Sequence, residues 1–293
     1  MPSAASNGRS LRELLVNPDQ WVQTRSRIRV LGYADHWLNS QFSDAELKQW
    51  LPNLSKQGLK LGLEVGAVKP WGRTGAKAFD IGRRMWDRFR LDGGNIYALA
   101  MDEPLSAVRR ELHESNEYAV EQTAQFMALV RKEYPDVLVG DIEPYPSLER
   151  DELISFIDAL QHKLQELNVR GLDFFRVDVD WMHFVYGNAV AWPRIKEIEN
   201  ACRQRGIRFG LIYWAADYPQ LDRMHLADDS TWYVSIMQQG YDYAAVGGTP
   251  DQYVIESWLE APQRTLPEGG RWTLTRSALD FTRKFVGHEQ SDP

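Results

Sequence analysis

The sequence predicts a single (β/α)8 TIM barrel of the α/β class, on three observations. Strand-like and helix-like segments alternate along the chain, about 260 residues hold eight such units, and no nucleotide-binding glycine motif follows the first strand. The chain has 293 residues, with 43% hydrophobic and 26% charged, which is ordinary for a globular protein. Residues 1–26 are expected to form an N-terminal extension, 27–286 the barrel and 287–293 a loose tail.

Short apolar, β-branched or aromatic runs are expected as strands, because parallel strands covered on both faces lose the polar alternation. They fall at Ile28–Asp35, Leu59–Val65, Asn95–Asp102, Val137–Glu143, Leu172–Asp180, Ile207–Tyr213, Trp232–Gln238 and Tyr253–Trp258. Amphipathic segments at Ala76–Leu91, Asn116–Tyr134, Asp151–Leu167, Pro193–Arg205 and Leu274–Phe285 are expected as helices. A capping box, Ser43-Asp-Ala-Glu46, opens an earlier helix, and Gly58, Gly171 and Gly206 each stand where a helix must end in left-handed backbone.

Composition narrows the partners. A net charge of -7 without a Lys/Arg run argues against nucleic acid, and no apolar stretch approaches membrane-spanning length. The opening Met1-Pro-Ser-Ala-Ala-Ser lacks the charged-then-apolar order of a signal peptide, and the compartment stays open. One cysteine, Cys202, forms neither an internal disulfide nor a thiolate metal cage and is expected as a small buried residue. Eleven Trp and twelve Tyr suit a saccharide cleft, since flat rings stack on the apolar faces of sugars.

Active sites of this fold lie at the carboxyl ends of the strands. There the sequence places Tyr33, Asp35, His36 and Trp37, then Glu64, Asp102 and Glu103, and Asp141 and Glu143. Further on come Arg176, Asp178, Asp180 and Trp181, Tyr213 and Trp214, Gln238 and Gln239, and Glu256 and Trp258. On the fifth strand the period of two puts Arg176, Asp178 and Asp180 on one face, into the mouth if Val177 and Val179 face the helices. Asp141 and Glu143 are expected to repeat that arrangement on the fourth. Paired carboxylates are what glycosidic cleavage requires, one protonated to serve the leaving oxygen and one ionised.

The order of these strand-end motifs resembles the (β/α)8 glycoside hydrolases. Ile142-Glu143-Pro144 looks like the Asn-Glu-Pro of the largest glycosidase clan, with Ile142 in place of Asn, and Gln238 and Gln239 stand where that clan carries its nucleophile. Asp141-Ile-Glu143, Tyr213 and Trp258 resemble the chitinase-like barrels. Both likenesses imply Glu143 as proton donor, with Glu256, Asp180, Glu103, Asp178 and Asp102 as further catalytic candidates. Trp37, His36, Glu64, Asp141, Arg176, Trp181, Tyr213, Trp214, Gln238 and Trp258 are the expected sugar contacts. The expectation is thus a glycoside hydrolase acting on an oligo- or polysaccharide, with no cofactor or metal; oligomeric state stays open. Three rivals remain. One is a metal-dependent sugar isomerase or epimerase using Glu143, Asp178 or Asp180, His183 and Glu256. Another is a phosphate-binding barrel using Val246-Gly-Gly-Thr249, and the third a saccharide-binding barrel without turnover.

Overall fold

The computed structural model describes residues 1–3, 5–180, 192–215, 228–258 and 261–287. Seven parallel strands pair in chain order into one sheet that curls as a TIM-type α/β barrel. They are β1 (Val30–Ala34), β2 (Lys60–Val65), β3 (Ile96–Asp102), β4 (Leu138–Tyr145), β5 (Phe174–Val179), β6 (Arg208–Tyr213) and β7 (Gln252–Ile255). Helices alternate with them. α1 (Arg9–Val16) and α2 (Val22–Arg25) precede β1, and α3 (Asp35–Gln41) and α4 (Asp44–Lys56) follow it. Then come α5 (Gly75–Leu91), α6 (Pro104–Ala107), α7 (Asn116–Glu133), α8 (Arg150–Glu166), α9 (Trp192–Gln204), α10 (Asp229–Ala245) and α11 (Leu274–Phe285).

Local signals place most boundaries. Ser43 accepts from the Glu46 amide at 3.3 Å while the Glu46 carboxylate accepts from the Ser43 amide at 2.8 Å, so the predicted capping box opens α4. Gly58 (φ 76°) and Gly206 (φ 68°) end α4 and α9 as expected. Behind α8 the left-handed residue is Asn168 (φ 54°) and not Gly171. The N-terminal segment joins the core, since Leu11, Leu14 and Trp21 are buried in the main apolar cluster.

One predicted strand is a helix. Trp232–Gln238 lies inside α10, and its buried residues Trp232, Ser235, Ile236, Gln239 and Tyr243 recur at the spacing of a helical face. The Asp228 side chain caps it by accepting from the Thr231 amide at 2.7 Å. β6 therefore pairs directly with β7, which occupies the segment expected as the eighth strand. Among the described residues the sheet has seven strands, with β1 and β7 at its edges. Met1 touches both edges: its ammonium donates to the Ile255 carbonyl, its carbonyl accepts from the Ser257 amide at 3.2 Å, and its side chain covers Gly32.

Two apolar layers divide along the pleat. Leu63, Val65, Leu99, Met101, Val139, Phe175, Val177, Phe209, Leu211 and Tyr213 belong to the larger cluster beneath the helices. Ala98, Ala100, Ile142, Phe174, Ile212 and Trp214, at alternate positions, form a separate inner cluster. The inner face mixes large with very small residues because a barrel of few strands is narrow. A Cβ on Gly140 would stand 2.1 Å from the Phe174 ring, and one on Gly210 would stand 2.7 Å from Arg176 Cγ.

Candidate active site

The inner face of the sheet continues upward into a charged layer. Glu64 on β2, Asp102 ending β3, Arg176 and Asp178 on β5, and Glu256 just beyond β7 occupy the pleat positions of the inner cluster, and their charges act on one another. Glu64 is influenced by Glu256, Asp102, Asp178 and Arg176, side chains from three other strands or strand ends. The acids of separate strands thus converge on one basin.

Two cationic side chains partly balance them. Arg176 donates through Nε to Gln252 Oε1 at 2.8 Å, and its guanidinium lies 4.5 Å from the Phe174 ring centre. Burial lowers its pKa to about 10, against the pull of Glu256 and Glu64. Lys69, in the loop after β2, pairs with Asp102 at 2.7 Å. Burial works against the Lys69 charge, but Asp102, with Glu103 and Glu111 behind it, outweighs burial, and the ammonium's pKa stays above its ordinary value.

Burial is the largest cause acting on the carboxyls. It pushes Glu64 and Asp178 well above the ordinary carboxylate range, with the neighbouring Glu256 adding to both. Glu256, 1% exposed, rises to about 7; the Met1 ammonium and Arg176 oppose the rise and Asp102 supports it. One Glu256 oxygen, Oε1, is buried without a hydrogen-bond partner among the described residues. Asp178 is oriented by the Trp214 indole, whose Nε1 donates to its Oδ1 at 2.5 Å. Burial thus shifts both Glu256 and Asp178 toward their protonated forms, with Asp178 held in place by the indole.

The structure divides the predicted residues into two groups. Glu64, Asp102, Arg176, Asp178 and Glu256 come together, with Trp214 in the inner cluster and Trp258 packed against it. Glu103, one step beyond Asp102, is half-buried, and burial followed by Asp102 raises its pKa. Asp180 follows β5 half-buried, its amide donating to the Tyr145 carbonyl at 2.8 Å.

Asp141 and Glu143 do not share that basin. Register pairs Asp141 with Met101 and Phe175, and Glu143 with Val177, all residues of the helix-facing layer. Glu143 is fully buried there and accepts from the Leu105 amide at 2.6 Å and the Ser106 amide at 3.2 Å. Those are free N–H groups in the first turn of α6, so this carboxyl anchors the turn after β3. Burial, then Asp141 and Glu103, push its pKa well up. Asp141 is also fully buried, and burial pushes its pKa well up, with Asp102 and Glu103 adding to the rise and the Ile142 amide and Lys69 opposing it.

Other expected contacts lie elsewhere. Tyr213 belongs to the helix-facing layer, stacked on Tyr253 at 6.1 Å and tilted against Phe281 at 4.6 Å. Gln238 is exposed on α10 and donates to Asp242 at 2.7 Å, a consequence of the helix that replaces the expected strand. His36 and Trp37 sit on α3 immediately after β1: His36 is exposed 3.8 Å from Asp35, and Trp37 lies 6.5 Å from the Tyr33 ring. Trp181 and His183 lie outside the described residues. Among the described residues, no three His, Cys, Asp or Glu side chains form a group that could hold a metal ion.

Two residues with a place at this mouth were missed by the sequence reading, Lys69 and Trp71. Lys69-Pro70-Trp71-Gly72 is a turn closed by the Gly72 amide on the Lys69 carbonyl at 2.9 Å. The Trp71 ring lies on Gly66, where a Cβ would stand 2.5 Å from it, and the residue is still 54% exposed. A Pro-x-Gly step directly after the second strand was the available signal.

A parallel barrel with a carboxylate-rich mouth defines the class. Neither the protein-family models nor the curated proteins include a match to this chain. Among solved structures, the chain is similar to a glucosidase from Croceicoccus marinus at 12% identity and TM-score 0.53, over 82% of this chain and 54% of that one. The chain therefore spans about half the length of that glucosidase. It is similar also to the YdjI aldolase from Escherichia coli K12, at 10% identity and TM-score 0.53, over 96% of this chain and 90% of that one. An aldo-keto reductase of the silkworm Bombyx mori aligns at 13% identity and TM-score 0.50, over 97% of this chain and 76% of that one. Likeness at this level shows a shared fold, one that carries several reaction types.

Proposed function

We propose that the chain is a glycoside hydrolase acting on an oligo- or polysaccharide by carboxylate acid/base catalysis. The observation that carries this reading is the convergence of Glu64, Asp102, Asp178 and Glu256 on one basin, with Glu256 raised to about 7 beside an indole-oriented Asp178. Glu256 is assigned the proton donor to the leaving oxygen, and Asp178, fixed by the Trp214 indole, the partner that must first release its own proton to solvent before it can act as the ionised carboxylate. Arg176 sets the balance between Glu64 and Glu256, and Lys69 holds Asp102. Trp71, Trp214 and Trp258 supply ring faces for sugar. This moves the acid from Glu143, whose oxygens are occupied by two backbone amides.

The test is release of reducing ends from a panel of oligosaccharides and aryl glycosides, with and without EDTA. Turnover that EDTA leaves unchanged supports the hydrolase. Sugar isomerisation or epimerisation that EDTA abolishes, with no reducing ends released, supports a metal-dependent isomerase or epimerase, and binding without turnover a saccharide-binding barrel. In the same assay Trp71→Ala is expected to raise KM about tenfold with kcat little changed, as loss of a stacking surface remote from the bond broken. An unchanged KM removes Trp71 from the site.

A further inference from the structure

Away from the mouth, a cleft of about 300 Å³ is lined by Tyr233 of α10, Gly269, Arg271 and Trp272 of the preceding loop, and Arg276 and Asp280 of α11. None of the mouth carboxylates lines it. The Arg271 guanidinium lies 3.9 Å from the centre of the Trp272 ring, and among the described residues no carboxylate pairs with it. Arg276 donates through Nε to Asp280 at 2.7 Å, and the Tyr233 hydroxyl reaches the same oxygen at 3.4 Å. Two guanidiniums and one carboxylate leave a net positive cleft on a chain of net charge -7.

The loop is held ready. The Gly270 amide bonds the Pro267 carbonyl at 2.9 Å, the Thr273 hydroxyl bonds the same carbonyl at 2.8 Å, and Arg264 bonds the Arg271 carbonyl at 2.9 Å. Trp272 adopts left-handed backbone (φ 62°), which a bulky residue rarely does, and so brings its ring against Arg271. A guanidinium stacked on an indole keeps its in-plane N–H edge for a planar anion, the geometry that recognises carboxylate. A volume near the lower end of small-molecule sites, roughly 300–1,000 Å³, suits one ring.

We propose that this cleft binds a carboxylate-bearing sugar ring, with Arg271 on the carboxylate, Asp280 and Tyr233 on hydroxyls and Trp272 as wall. Calorimetric titration of the full chain with glucuronate, glucose and acetate tests it. Glucuronate is expected to bind tighter than either of the others, and Arg271→Ala to weaken it by at least about tenfold, the usual effect of losing a charge-assisted contact. Because Arg271 is exposed, its removal is expected to leave the thermal midpoint in place. Glu256→Gln, at the mouth, is expected to leave glucuronate affinity unchanged, which separates this site from the proposed hydrolase centre. Equal affinity for acetate, no change in Arg271→Ala, or loss in Glu256→Gln would each overturn the proposal.

Discussion

Replacing Glu256 with Gln is expected to lower kcat/KM on a cleaved glycoside about a thousandfold, within the usual range for loss of a general acid. The carboxyl is 1% exposed, and one of its oxygens has no internal hydrogen bond among the described residues. Its pKa of about 7 keeps it largely protonated at mildly acidic pH. The amide has nearly the same shape and cannot give up a proton to the leaving oxygen. Stability should move the opposite way. Glu256 in the folded chain holds its proton to higher pH than its ordinary value of 4.5, so the folded state binds more protons between about 4.5 and 7. Its contribution to stability therefore falls as pH rises through that window, and Glu256→Gln removes the fall. A variant more stable at pH 8 and nearly inactive is the expected outcome. A variant as active as wild type removes Glu256 from the mechanism.

The second large effect is expected at Glu143. Glu143→Ala strips the partner from two buried amides, Leu105 and Ser106, and opens a cavity beneath α6, which should cost about 2–4 kcal/mol in urea unfolding. Glu143→Gln keeps an acceptor oxygen and should lose about half as much. Because the turn it anchors carries Asp102 and Glu103, Glu143→Ala should reduce activity per folded molecule modestly. The decisive comparison is Glu143→Gln. Retained kcat with lowered stability fits an anchor of the turn; near-total loss of kcat with full stability would return the proton donor to Glu143.

The contrast between strands four and five shows how far the sequence could be read. Period-two alternation fixes which residues share a face, and it grouped Arg176 with Asp178 correctly. Which face looks inward is decided by what covers the other one. On β5 the intervening residues, Val177 and Val179, are apolar and belong under the helices. On β4 the residues that alternate with the acids are Gly140 and Ile142, equally suited to a barrel interior, and it is Ile142 that joins the inner cluster. The partners that stabilise Glu143 on the outer face are amides 37 and 38 positions away, beyond any local pattern.

The misread strand has a different cause. Trp232, Tyr233, Val234 and Ile236 all favour strands, yet their burial follows a helical period and Asp228 caps the start. The wider pattern from Trp232 to Tyr243 was readable, and a seven-residue window hid it. Strands β1 to β6 fell within or beside the predicted segments because their apolar runs are short and bounded by helix stops. The segment expected as strand eight forms β7.

Everything proposed for the mouth depends on acids from opposite sides of the sheet sharing one dry, electrostatically linked basin. A carbon-13 NMR titration of the Glu256 carboxyl tests this most directly. The account predicts a midpoint near 7 in the wild type, moving up in Arg176→Met as a stabilising cation is lost. A midpoint at the ordinary 4.5, unmoved by removal of Arg176, would contradict it.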